Sequence, residues 1–194
     1  MFVNWAQKEI NLKIVYYGPG LSGKTTNLEC IYQQIDPSLR GELITLKTRE
    51  ERTLYFDFLQ LEFGRIKGMQ PKFNLYTIPG QVYYAESRKI ILRGVDGVVF
   101  VADSQKDRMI ENLDSLLDLE ENMISQGKTL EAFPWLLQYN KRDLVDVYSC
   151  EEMDKKLNFL DVPRIEAVAV QNKGVVESLK LIIQRVLTTV QEMI

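Results

Sequence analysis

Two kinds of hydrophobic pattern alternate along the chain. "LKIVYYG" (12–18), "KFNLYT" (72–77), "GVVFVAD" (97–103), "PWLLQYN" (134–140) and "RIEAVAV" (164–170) are short apolar runs rich in β-branched and aromatic residues. Several are apolar almost throughout, as expected of parallel strands covered on both faces. Between them, apolar positions recur at helical spacing. Residues 24–34 form one such segment. Another, about 107–126, places Met109, Leu113, Leu116, Leu117, Leu119 and Met123 near one face. A third opens with Ser149 and Glu152 at capping-box spacing, and a fourth runs from 175 to 190 with Val175, Leu179, Ile182, Ile183, Val186, Leu187 and Val190 in register. Strands alternating with helices predict an α/β fold built on a mostly parallel sheet with right-handed crossovers. Residues 42–68 break the rhythm. There "TLYFDFLQLEF" alternates like an edge strand able to pair antiparallel with 72–77, and the charged run "KTREER" before it reads as an exposed loop. Six strands are thus expected, one of them antiparallel at the edge.

Composition narrows the function. With 194 residues, 45% apolar and 26% charged, the chain suits one domain over 1–194 with a sizeable core. Its 24 Lys and Arg against 27 Asp and Glu leave a net charge of −3, with no basic stripe or tail, which disfavours nucleic acid or an anionic membrane as the main partner. There is no histidine, so histidine-based acid–base chemistry and histidine metal sites are excluded. Cys30 and Cys150 lie far apart and in no metal or redox spacing. No signal-peptide pattern, lipidation motif or apolar run long enough to span a bilayer is present, so a cytoplasmic chain without its own membrane anchor is expected.

The chemistry begins at "GPGLSGKTT" (18–26), which matches G-x-x-x-x-G-K-[ST] between a predicted strand and a predicted helix. Gly18 and Gly23 permit the tight turn and the close approach of backbone to phosphate. The N–H groups from Gly20 through Leu21, Ser22, Gly23, Lys24 and Thr25 are expected to face the phosphates at a helix N-terminus, with Thr26 beside them. The Lys24 ammonium is placed to bridge β- and γ-phosphates and the Thr25 hydroxyl to ligate magnesium.

"NKRD" (140–143) follows the apolar strand "PWLLQY" directly. A carboxylate at Asp143 can accept both N1–H and the exocyclic amine of guanine, whereas adenine would leave it unpaired. Asn140 is assigned to the base and to tying loops together, and the Lys141 stem to covering the ring. Further on, the Ala169 N–H is the candidate donor to guanine O6.

Taken together, these residues resemble the Ras superfamily of small GTPases, and "GVVFVADSQKDRM" resembles its Arf branch. "KEINLKIVYYGPGLSGKTTNL", "ERTLYFDFL", "LYTIPGQVYYAESRKIILRGVDGVVFVADS" and "QYNKRDL" are similar to blocks of the bacterial polarity and gliding-motility members, from about Glu9 to Val186. That group also carries Thr where Thr77 stands, three residues before Gly80, a position that usually holds a magnesium-supporting Asp. The resemblance implies the three-layer α/β/α small-GTPase fold and a GTP-dependent switch whose two forms differ in the switch loops and in the register of the second strand. It also implies a roadblock-type GTPase-activating partner, polarity or motility effectors, and recruitment to a cell pole. A monomer is expected.

Hydrolysis in this setting is positioning and charge stabilisation around phosphates and Mg2+. Gln81 is placed to orient the water and the Gly80 N–H to contact the γ-phosphate. Thr53 is the chosen switch threonine for magnesium, with Thr45 and Thr48 as alternatives. Arg52 either acts as an internal arginine finger, as the resemblance favours, or is an exposed charge in "REER". Asp57, alone in the apolar "YFDFL", is the candidate for the missing magnesium carboxylate, against a solvent-facing edge Asp. Tyr83 and Tyr84 suit core packing or partner contact equally. A non-hydrolysing GTP scaffold and a P-loop kinase or ATPase are the competing readings. Thr77 motivates the first, and "NKRD" argues against the second.

Overall fold

The computed structural model of the chain describes residues 1–46, 56–79 and 85–193. Its strands are β1 (Phe2–Asn4), β2 (Glu9–Tyr17), β3 (Ile44–Leu46), β4 (Phe56–Glu62), β5 (Gln70–Thr77), β6 (Gly97–Asp103), β7 (Trp135–Asn140) and β8 (Arg164–Glu166). Its α-helices are α1 (Lys24–Gln34), α2 (Ala85–Leu92), α3 (Met109–Ile124), α4 (Cys150–Leu157) and α5 (Val175–Met193). The sheet runs β3-β4-β5-β2-β6-β7-β8, parallel from β5 to β8, with β4 antiparallel to β5 and β3 antiparallel to β4.

Period-two alternation decides which layer each residue joins. On β2, Ile10, Leu12, Ile14 and Tyr16 enter the core beneath α1 and α5, while Val15 and Tyr17 face the opposite core with Leu116, Leu119 and Met153. Both layers need apolar partners from the central strands, and every residue of β6 and β7 is buried. This is the α/β fold the patterning predicts, in the three-layer arrangement the resemblance implies.

The sheet has eight strands among the described residues, not six. β3 flanks β4 on its outer side, so β4 is not the edge. β1 pairs antiparallel with β2 over Asn4↔Glu9 to Phe2↔Asn11. It fits because β6 joins β2 only from Ile14 onward, leaving the first residues of β2 open on that side. Two three-residue strands offer too little periodicity to be seen in advance.

Two helical expectations change in detail. Residues 106–108 form a 3₁₀ turn ahead of α3, and on α3 Leu113 and Leu117 are exposed at 36% and 56%. The buried stripe instead takes Met109, Asn112, Leu116, Leu119 and Met123. Asn112 belongs there because its amide and carbonyl bond the backbone of Asp103, at 2.8 and 2.9 Å. The strand foreseen over 164–170 stops at Glu166, and Ala169–Gln171 close into a 3₁₀ turn. At α4 the expected capping box is present, with Ser149 and Glu152 bonding each other's backbone N–H. Among the described residues no helix is long and apolar enough to cross a membrane.

Candidate functional site

The C-terminal ends of β2, β6 and β7 and the turn after β8 converge at one edge of the sheet, where an open parallel sheet of this type binds its ligands. The loop from Gly18 leaves β2 and enters α1 at Lys24. Gly18 has φ 137° and Gly23 φ 99°, and a Cβ at either position would lie 2.2 Å from the Val101 carbonyl or 2.3 Å from the Asn140 amide. Leu21 holds φ 65° with its side chain 86% exposed.

Lys24 is buried, and its ammonium donates to the carbonyls of Gly18 at 2.9 Å and Pro19 at 2.6 Å. Burial first, and the nearby charge of Arg88 second, draw this ammonium down to about 7 against the opposing pull of Asp57. Arg88, on α2, is itself buried and donates its Nε to Asp118 of α3 at 2.7 Å. Asp118 also accepts the hydroxyl of Tyr17, the residue before Gly18.

Thr25, in the first turn of α1, donates its hydroxyl to Asp57 Oδ2 at 2.6 Å. The Thr77 hydroxyl donates to the same oxygen at 2.8 Å and accepts the Asp57 N–H at 2.8 Å. Asp57 is 4% exposed and Thr77 3%, so Asp57 does not face solvent. The antiparallel register explains the meeting. Phe58 opposes Tyr76, and one step further Asp57 comes beside Thr77 at the ends of β4 and β5. A carboxylate on β4 therefore arrives beside the hydroxyl of β5, next to Thr25. Thr26, the next residue of α1, is half-buried, and Thr45 on β3 is exposed opposite Asp57 in the ladder.

No group of three or more His, Cys, Asp or Glu gathers among the described residues. The donor set of one carboxylate and adjacent hydroxyls still fits Mg2+, which is held through one or two carboxylates with phosphate oxygens and water completing the shell.

At the other end, Asn140 ends β7 and joins two loops. Its amide donates to the Ser22 carbonyl at 2.8 Å, and its Oδ1 accepts the Ala169 N–H at 2.9 Å. That bond commits the N–H expected for guanine O6, so donation to a base requires the bond to be shared or exchanged. Lys141 has φ 64° and donates to Asp103 Oδ2 at 2.6 Å. Asp143 is exposed and makes no hydrogen bond or ion pair among the described residues, which leaves its carboxylate open to a ligand. Arg52, Thr53, Gly80 and Gln81, with Thr48, Tyr83 and Tyr84, lie outside the described residues.

Supporting residues absent from the sequence reading complete the frame. Asn27 donates to the Gly23 carbonyl at 2.9 Å, and Gln138 of β7 donates to Asn27 and to Ser178 of α5, both at 2.9 Å. Buried polar side chains with no motif carry no local sequence signal beyond their place in apolar runs.

A strand–glycine-rich loop–helix on a mostly parallel sheet, with a base loop reaching back to that loop through Asn140, defines a P-loop nucleotide-binding protein of the small-GTPase class. Comparison with known families makes this specific. The model of the ADP-ribosylation factor (Arf) family matches residues 1–186, and the chain belongs to that family, within the Ras superfamily of small GTPases. It is 52% identical over 191 residues, 98% of either chain, to the mutual gliding-motility protein MglA of Myxococcus xanthus (strain DK1622).

Proposed function

We propose that this chain is a GTP-dependent switch that hydrolyses GTP to GDP and phosphate, slowly alone and faster with an MglB-like roadblock-type activating partner. Acting through effectors and recruited by partners to a cell pole, it governs cell polarity or motility; the name of its Myxococcus relative speaks of gliding motility alone. Residues 1–194 form one G domain in this reading. The observation that carries it is the convergence of Lys24, Thr25 and Asp57 at one end of the loop with Asn140 tied to Ser22 at the other.

Phosphates lie against the N–H groups of Gly20 to Thr25, with Lys24 between the β- and γ-phosphates. Thr25, Thr53 and Asp57 would hold magnesium, which would supply positive charge against the phosphates. Gln81 orients a water for in-line attack on the γ-phosphorus, and Gly80 donates its N–H to a γ-oxygen. The water oxygen bonds to that phosphorus as the bond to the β–γ bridging oxygen breaks, whose electron pair leaves with GDP, and the water's protons go out with the phosphate product. Arg52 neutralises the charge that develops, so the partner need only arrange the loops. Asn140, Lys141 and Asp143 hold the guanine, with Ala169 beside O6.

Single-turnover hydrolysis tests this reading. GTP should be cut slowly by the chain alone and faster with a roadblock partner, and Gln81→Leu or Arg52→Ala should slow both. GTP that stays intact with and without the partner would make the chain a scaffold.

Lys24 gives a pH signature. Its folded value lies near 7 in the free site, and a bound phosphate restores the proton. Above pH 7 binding therefore takes up a proton, and affinity for GDP should fall as pH rises, by at most about tenfold per unit. Titrations at pH 7 and pH 9 check this. Equal affinities would mean that the ammonium is already fully charged in the free site.

A further inference from the structure

Four carbonyls of the phosphate loop are held by side chains, two by a lysine of the loop itself and two from other elements. Lys24 takes those of Gly18 and Pro19, and Asn140 takes that of Ser22. The Gly20 carbonyl is taken by Arg108, from the 3₁₀ turn ahead of α3, through Nη2 at 3.0 Å. A trans peptide points its N–H opposite to its C=O. Holding Gly20 O toward Arg108 therefore turns the Leu21 N–H the other way, toward the phosphate side.

That peptide leads into a strained residue. Leu21 has φ 65°, a conformation that L side chains rarely adopt. Its side chain is 86% exposed, so no packing of the leucine rewards the strain. The bond from Arg108 is placed to do so.

Arg108 is in turn anchored. Its Nη1 meets Glu111 at 2.5 Å, and its Nε lies 3.9 Å from Asp103 Oδ2. Asp103 is fully buried at the end of β6. Its backbone N–H and carbonyl are fixed by Asn112, and Oδ1 accepts the Gln105 N–H at 3.1 Å. The same Oδ2 receives Lys141, from the base loop, at 2.6 Å. One buried carboxylate thus faces the cation that serves the phosphate loop and the cation that serves the base.

We propose that Arg108 is a positioning residue that holds the left-handed Leu21 peptide in its phosphate-binding orientation, and that Asp103 braces Arg108 and Lys141 together as a nucleotide-retention clamp. This rests on the reading of the chain as a guanine-nucleotide switch and adds two residues outside its motifs. Arg108 touches neither phosphate nor water in this scheme. It acts through the backbone of residues 20 and 21.

The test is the rate of GDP release, with the apo melting temperature measured beside it. Wild type must first retain GDP, and failure there defeats the guanine-nucleotide reading rather than the clamp. Arg108→Ala should release GDP roughly tenfold faster, about the worth of one charge-assisted hydrogen bond. Arg108→Lys, which keeps a cationic donor, should stay near wild type. The decisive variant adds Leu21→Gly to Arg108→Ala. Glycine adopts φ 65° without strain, so the double variant should recover most of the lost retention while its melting temperature stays at that of Arg108→Ala. Release by Arg108→Ala at the wild-type rate would overturn the proposal. So would a faster release that Leu21→Gly leaves unchanged, since Arg108 would then act through general stability and not through that peptide.

Discussion

Asp143→Asn is expected to exchange a guanine site for a xanthine site. The Asp143 carboxylate is exposed and makes no hydrogen bond or ion pair among the described residues, and in the function proposed above it accepts from both N1–H and the 2-amino group of guanine. An Asn amide keeps one acceptor but turns a donor toward the 2-amino group, which itself only donates. Xanthine carries a carbonyl there and satisfies that donor. GTP affinity should fall by roughly three orders of magnitude, short of the 10⁴–10⁵ of fully enclosed sites, because Asp143 is open to water. XTP should gain correspondingly. Competition among GTP, XTP and ATP reads both changes at once, and undiminished GTP affinity would move guanine recognition away from Asp143. The fold should hold, since Asp143 carries no bond within the described chain.

Asp57→Asn is expected to separate GTP binding from its dependence on magnesium. Asp57 Oδ2 receives the hydroxyls of Thr25 and Thr77, and both Asp57 and Thr77 are nearly sealed from solvent. Asn keeps the size and the acceptor oxygen, so the ends of β4 and β5 should stay joined. It removes the carboxylate that lies beside Thr25 among the described residues, and Thr25 is the residue proposed to ligate the metal. Losing a group that holds or supports a bound metal commonly changes metal affinity by at least roughly 10- to 100-fold. GTP retention should weaken by a factor in that range in magnesium and scarcely at all without it. Thr77→Ala should have a smaller effect of the same kind, because Asp57 keeps its charge and loses one donor that orients it.

Much of this was legible in the chain. The loop over 18–26 and "NKRD" were readable because phosphate and guanine demand particular residue types at fixed spacings. The parallel strands showed because burial on both faces needs unbroken apolar runs, as in β6 and β7. Asp57 stood out as a single charge among apolar neighbours in β4. Its orientation did not, because that depends on the register against β5, which a one-residue slip would reverse. The exposed Leu113 and Leu117 show the limit of helical spacing, for Asn112 displaced them from the buried stripe by bonding Asp103. Arg88, Arg108 and Asp103 escaped notice for a related reason. Each acts through a partner far away in sequence, such as Arg108 on Gly20, and no local pattern records such a meeting.

In the function proposed here, a small GTPase bearing Thr77 keeps its magnesium carboxylate on the neighbouring strand, at Asp57. The rate of GTP release, measured with magnesium and with excess EDTA in wild type and in Asp57→Asn, tests it most directly. Wild type should release GTP much faster once magnesium is removed, while Asp57→Asn should release it fast in both conditions. An equal response to magnesium in the two proteins would contradict the account and return Asp57 to a purely structural place between Thr25 and Thr77.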